Sequence, residues 1–316
     1  MIELEGLDKD EVAYLTPDKP VMVAWRGSVA HGMYVAPETD TGIDDKDILT
    51  VYIPDLSYYF GTKVPPSGKD LRHKEWDCAA YEIKHFVHLL SHGNPNVLSS
   101  LWLKPEMYIH LDDAGRKLVE NRHLFATKKA YHSFGGYAHG QMKRMTSFTD
   151  PEVPSSCGCE GKFHIEGCTV QGERGRGSSK RFATGFMGAK RKGLVEKFGY
   201  DTKNAAHLIR LLYLGVEFLK TGNMTVDRRD AGDADKLLDI KKGKWLLQDV
   251  KVEAGMLFNN MREAASTSPL PEAPDTEAID DLLTNILCQD KRIDVILRSA
   301  LSSVGYSDGL SAPRRP

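Results

Sequence analysis

Two short apolar runs, and the residues at their ends, restrict this chain more than any other feature of its 316 residues. Val21–Trp25 reads as a buried strand that breaks at Arg26-Gly27-Ser28. Ile48–Ile53 reads as a second strand, stopped by Pro54, and it opens directly behind Asp45 and Asp47. Residues two apart at the head of a strand project from one face, so these two carboxylates converge. Converging carboxylates repel unless a cation lies between them. Hard oxygen ligands of this kind favour magnesium or manganese, normally together with substrate phosphates. Gly27-Ser28 falls between a strand and a helix start, where backbone N–H groups and a serine hydroxyl suit an anionic phosphate. Asp44 is expected to point the other way and to serve the turn. Either motif alone is commonplace, since Gly-Ser pairs make turns and Asp-x-Asp often marks a solvated strand end. Their order along the chain is far more specific.

The remaining pattern extends this α/β start into a helical second half. Trp76–Ala80 reads as a short third strand, and Tyr81–His92 as a helix ended by Gly93-Asn94-Pro95. Further helices are expected at Lys128–Thr146, Thr202–Leu219, Lys244–Ala265 and Thr276–Leu301. The expected fold class is an α/β (α+β) core with a mixed sheet, followed by a mainly helical C-terminal domain. The expected layout is an α/β domain at 1–112 and a helical domain at 113–265 with a loop insertion near 150–192. A linker at 266–275, a C-terminal helix at 276–305 and a disordered tail at 306–316 complete it.

A hydrophobic strand, Gly-Ser, and Asp-x-Asp on the next strand together resemble the polymerase-β nucleotidyltransferase superfamily. Sixteen residues separate Ser28 from Asp45, several more than the superfamily usually has, which points to a small insertion near 39–42. Three later stretches narrow the resemblance: Tyr81–Phe86 with Gly93–Leu98, Lys128–His139, and Phe198–Arg210. They are similar to a subfamily of predicted bacterial and phage nucleotidyltransferases, some of which occur beside RNA ligases. The resemblance implies a third metal-site carboxylate on a later strand, and Asp77 occupies the matching place, with Glu75 as fallback. The chemistry it implies is two-metal transfer of NMP from an NTP, with release of pyrophosphate and no covalent nucleophile. Asp45 and Asp47 would hold both ions, and Asp77 would complete the hydroxyl side.

Two polar stripes cut the helices of the second half. His132, Gly136, His139 and Lys143 share one face, read equally well as solvated or as facing a site. Lys203, His207, Arg210 and Glu217 interrupt an otherwise apolar helix, for which contact with triphosphate or acceptor is expected, with Asp201 as N-cap. Lys203 and Arg210 should lie across a cleft from Asp45 and Asp47, with His207 between them as phosphate donor or proton carrier. Arg174–Lys192 carries seven Lys/Arg and no acid, with Phe182 and Phe186 interleaved. It reads either as an RNA-binding strip or as a basic loop that only meets the NTP phosphates. Cys157, Cys159, His164 and Cys168 hold enough soft ligands for one tetrahedral zinc, although Cys-x-Cys is tighter than the usual spacing and plain loop thiols are the favoured reading.

Composition removes several classes. A 41% apolar and 27% charged chain with net charge −2 is globular, so any nucleic acid must be met by a local basic patch. Five cysteines do not form a disulfide framework, and the acidic N-terminus without a long apolar run suits the cytoplasm. No Gly-x-x-x-x-Gly-Lys-Ser/Thr occurs, which argues against a P-loop kinase. The leading expectation is a magnesium- or manganese-dependent enzyme moving NMP to an RNA end or another hydroxyl acceptor. Its rivals are a protein-modifying nucleotidyltransferase of the toxin-neutralising kind and a silent NTP- or RNA-binding module.

Overall fold

The computed structural model describes residues 2–17, 19–36, 44–55, 57–60, 62, 64, 68–146 and 189–288. A five-stranded mixed sheet fills the first third of the chain. Its strands are β1 (Pro20–Trp25), β2 (Lys46–Tyr52), β3 (Gly68–His73), β4 (Trp76–Glu82) and β5 (Tyr108–Leu111), ordered β3-β4-β2-β1-β5. β1 pairs antiparallel with β2 and β5, β4 antiparallel with β3, and β2 runs parallel to β4. The parallel pair sets Asp47 directly beside Asp77.

Alternation along the strands divides the sheet into two faces. Val23, Ile48, Trp76, Cys78 and Ala80 pack with Val12 and Leu15 of α1 (Lys9–Leu15), a helix started by an Asp8/Glu11 capping box. Met22, Ala24, Leu49 and Val51 face the other way into the main core, which continues without a break into the helical half. Asp47 and Asp77 belong to this second face, at the end where the strands begin. The same alternation that buries Leu49 and Val51 therefore aims both carboxylates at the helices.

The connecting helices are α2 (Gly27–Ala30), α3 (Ser57–Phe60), α4 (Ile83–Ser91), α5 (Pro95–Leu98) and α6 (Asp113–Glu120). The second half consists of α7 (Lys129–Thr146), α8 (Ala189–Phe198), α9 (Thr202–Thr221), α10 (Arg228–Ala231), α11 (Ala234–Lys241), α12 (Leu247–Thr267) and α13 (Thr276–Cys288). Helix α9 is the axis of this half, packed on α7, α11 and α12. Asp201 caps it, accepting from the Asn204 amide, and Gly222 ends it with φ +71°. This architecture matches the expected α+β core with a helical C-terminal region.

Several boundaries differ from those read in the sequence. Tyr81 and Glu82 extend β4 instead of opening the helix, because the Glu82 carboxylate caps α4 by accepting from the Lys84 and His85 amides. The segment read as a linker at 266–275 starts inside α12 and then straps the bundle. There the Ser268 hydroxyl donates to the Leu219 carbonyl at 2.6 Å, and the Lys128 amide to that of Pro271 at 2.9 Å. The insertion near 39–42, Cys157, Cys159, His164, Cys168, residues 174–188 of the basic strip and the tail lie outside the described residues. Among the described residues, no helix is long and apolar enough to cross a membrane.

Candidate active site

The Gly27-Ser28 turn and the head of β2 are interlocked. The Arg26 amide donates to the Asp47 carbonyl at 3.0 Å, and Gly27 turns the chain with φ +61°. An L side chain rarely adopts that backbone, and glycine does so without strain. The turn leads into α2, whose Ser28 hydroxyl is buried and has no hydrogen-bond partner.

A cavity of about 290 Å³ opens between the sheet and the helices. All eight residues expected at the site line it: Gly27, Ser28, Asp45, Asp47, Asp77, Lys203, His207 and Arg210. The strand side carries Asp45, Asp47 and Asp77 together with Arg26 and Arg72, whereas the charged residues of the helical side are Arg191, Lys203, Arg210 and Lys241. Burial raises Asp47 above the ordinary carboxylate range, Arg26 and Lys203 pull it back, and its neighbours Asp77 and Asp45 add to the rise.

Asp77 is engaged by β3: Arg72 donates to its Oδ2 through Nε at 3.0 Å, with a second nitrogen at 2.9 Å. Among the described residues, no three His, Cys, Asp or Glu side chains are arranged to hold a metal ion by themselves. The donor set still fits magnesium or manganese, which take one or two carboxylates and complete their shell with water and substrate phosphate oxygens. Asp45, Asp47 and Asp77 all line the cavity, and Asp47 and Asp77 are direct neighbours across the parallel strand pair. Glu75, the alternative third carboxylate, instead pairs with Lys46 at 3.4 Å on another side of the strand, and Lys46 also lies over the Trp76 ring.

The basic wall is held by α8, α9 and α11. Burial lowers Arg210 to about 10 even though Asp47 stabilises its charge, and its Nε has no partner. Burial together with Arg210, Arg144, Arg191 and Lys203 pushes His207 well below the ordinary histidine range. At neutral pH His207 is therefore an uncharged ring among cations, and a proton carrier only once an anion offsets them. Glu217, the last member of the expected stripe, leaves the site. It accepts from the Thr225 amide and from Arg228 at 3.1 Å, an internal network. His132, Gly136 and Lys143 are exposed, so most of that face of α7 is solvated, while His139 is half-buried with its ring 4.3 Å from that of Phe258.

Asp44, expected to serve a turn, is instead 1% exposed and paired with two lysines, Lys241 and Lys203. Three further residues that line the cavity carry no signal of that role in the sequence. His31, fixed by a 2.9 Å hydrogen bond to the Val226 carbonyl, lies next to the Gly-Ser turn. Arg72 comes from a polar edge strand, and Lys241 from a helix end whose Lys241-Lys242-Gly243-Lys244 run looks like solvated charge. Arg191, from the basic strip expected to meet RNA or NTP phosphates, lines the cavity as well.

A mixed sheet carrying a Gly-Ser turn and paired aspartates, closed by a helical half, is the polymerase-β nucleotidyltransferase arrangement. The chain matches the RNA repair pathway DNA polymerase beta family over residues 20–285 and belongs to it. No curated protein and no solved structure matches the chain.

Proposed function

We propose that this protein transfers NMP from an NTP to a hydroxyl at an RNA end, releasing pyrophosphate. The observation that carries this reading is the pairing of opposite walls in one cavity. Two carboxylates suited to a divalent cation face a bank of cations, and the same cavity is lined by two residues with buried donors that have no partner, Ser28 Oγ and Arg210 Nε. Unsatisfied buried donors are uncommon, and an anion with several acceptor oxygens answers both.

The Gly27-Ser28 turn receives a phosphate by close backbone approach, with Ser28 Oγ donating to it. Lys203, Arg210 and Arg191 hold the triphosphate and oppose the charge that builds on the departing pyrophosphate. His207 donates a hydrogen bond as a neutral ring. A divalent cation held by Asp45 and Asp47 would supply an activated acceptor hydroxyl and neutralise phosphate charge. Asp77 stands beside Asp47 where the acceptor must approach. The RNA acceptor is supported by the family's place in RNA repair.

The test is to incubate the protein with each α-labelled NTP, magnesium, and RNA ending in a 3′-hydroxyl, a 3′-phosphate or a 2′,3′-cyclic phosphate. DNA and a protein lysate serve as rival acceptors. One-nucleotide extension of hydroxyl-ended RNA is expected. Label on protein alone would replace the RNA reading with a protein-modifying one, and no label anywhere would overturn transferase activity.

A further inference from the structure

Lysine is seldom fully buried, yet Lys241 is only 4% exposed. Its ammonium arrives from the end of α11 and donates to the Met33 carbonyl at 2.8 Å and to Asp44 Oδ2. The Val35 amide donates to that same oxygen at 2.9 Å. Met33–Val35 and Asp44 flank the segment joining the Gly-Ser turn to β2, so Lys241 holds both its ends. The other Asp44 oxygen faces Lys203, with Nζ 3.2 Å away.

One buried carboxylate thus has two ammonium partners, and they differ. Lys241 is sealed in, whereas the Lys203 side chain is 30% exposed, lines the cavity and acts electrostatically on Asp47. A buried carboxylate requires a full counter-ion, and a second one is surplus. We infer that Lys241 is the resident counter-ion of Asp44, a positioning residue that lets Lys203 exchange Asp44 for a phosphate oxygen of the bound triphosphate. This rests on the reading of the cavity as a triphosphate site. Burial lowers Lys241 to about 8, so at neutral pH it still carries the charge that the role demands. Without Lys241, Lys203 is the nearest replacement and stays bound to Asp44 at the expense of substrate.

The role makes a reversal testable. Wild type, Lys203→Gln, Lys241→Gln and the double variant Asp44→Asn/Lys241→Gln are titrated calorimetrically with inorganic tripolyphosphate in magnesium, and each is melted thermally. Lys241→Gln is expected to weaken binding about tenfold, close to the loss in Lys203→Gln. Adding Asp44→Asn should restore affinity to within about threefold of wild type, because no buried carboxylate then claims Lys203.

A double variant that stays weak overturns the inference, since Lys241 would then be a phosphate ligand or plain scaffold. Wild-type affinity in Lys241→Gln overturns it as well. If Lys241→Gln alone does not fold, the charge-free double variant decides in the same way, by strong or weak binding. Wild type that ignores tripolyphosphate overturns the triphosphate reading itself, and this inference with it.

Discussion

A β-carbon added to Gly27 would stand 2.1 Å from the Asp47 Oδ2 atom. Glycine at this turn is therefore set by two conditions, a φ of +61° and the carboxylate resting on its α-carbon. Gly27→Ala should cost about 1–2 kcal/mol from the left-handed backbone alone. Its larger effect is to push Asp47 aside by about an ångström, a displacement that can lower transfer about 100-fold. Steady-state kinetics and a thermal melt separate the two effects. Activity within a factor of a few of wild type would show that the carboxylate position does not matter.

Asp45→Asn and Asp47→Asn should each abolish transfer, by about 1000-fold or more, without loss of fold. For Asp47 the sign of the stability change follows from its raised pKa, caused by burial first and by Asp77 and Asp45 after it. A carboxylate raised in the folded state is ionised at a cost to folding at pH 7. Asp47→Asn should therefore melt at or slightly above the wild-type temperature. A variant that is both inactive and clearly less stable would mean that Asp47 serves the fold and not the reaction.

The two motifs could be read in the sequence because each is local. A strand end, a glycine turn and a pair of aspartates need no knowledge of the rest of the chain, and the α9 stripe is visible from helical spacing alone. What stayed hidden depends on partners far away. Strand β3, Gly-Lys-Asp-Leu-Arg-His, is an edge strand with mostly exposed side chains, so it lacks the apolar alternation that marks a strand. Strand β5 has four residues, none of them buried. Lys241 reaches Asp44 across 197 positions, and nothing in a lysine-rich helix end distinguishes a buried ammonium from a solvated one.

His31 gives the protein an acid sensitivity with a definite direction. Burial, then Arg210, His207 and Arg228, push it well below the ordinary histidine range, outweighing the Val226 carbonyl that favours its charge. The folded state keeps the ring neutral while the unfolded chain takes up a proton near pH 6.5. Stability from this group is complete above that pH and falls by about 1.4 kcal/mol per unit below it. His207 is shifted in the same direction and adds to the loss. Urea unfolding at pH 7.5 and 5.5 should show a drop exceeding about 1 kcal/mol, roughly halved in His31→Asn, which can still bond the Val226 carbonyl. An equal drop in both proteins would assign the sensitivity elsewhere.

Arg72 and Asp77 offer the sharpest test of the strand wall. The Arg72 side chain is 79% exposed and that of Asp77 23%, so their ion pair adds little to stability, about 1 kcal/mol at most. Its electrostatic consequence is larger. The guanidinium donates to Asp77 Oδ2 through two nitrogens, at 3.0 and 2.9 Å. A divalent cation drawing on Asp77 meets a carboxylate whose charge the arginine already offsets at Oδ2. Arg72→Ala removes the competitor and leaves the strand pairing, which is carried by backbone groups. Manganese binding, followed by the spin-resonance signal of the free ion, should therefore tighten about threefold to tenfold, while the melting temperature moves by only about 2 °C. Arg72→Lys should fall between, because a lysine keeps the charge but loses the planar fork. Unchanged manganese affinity would remove Asp77 from the metal-binding set and leave Asp45 and Asp47 to act with the substrate phosphates. Weaker binding would mean that Arg72 organises the wall instead of competing for it.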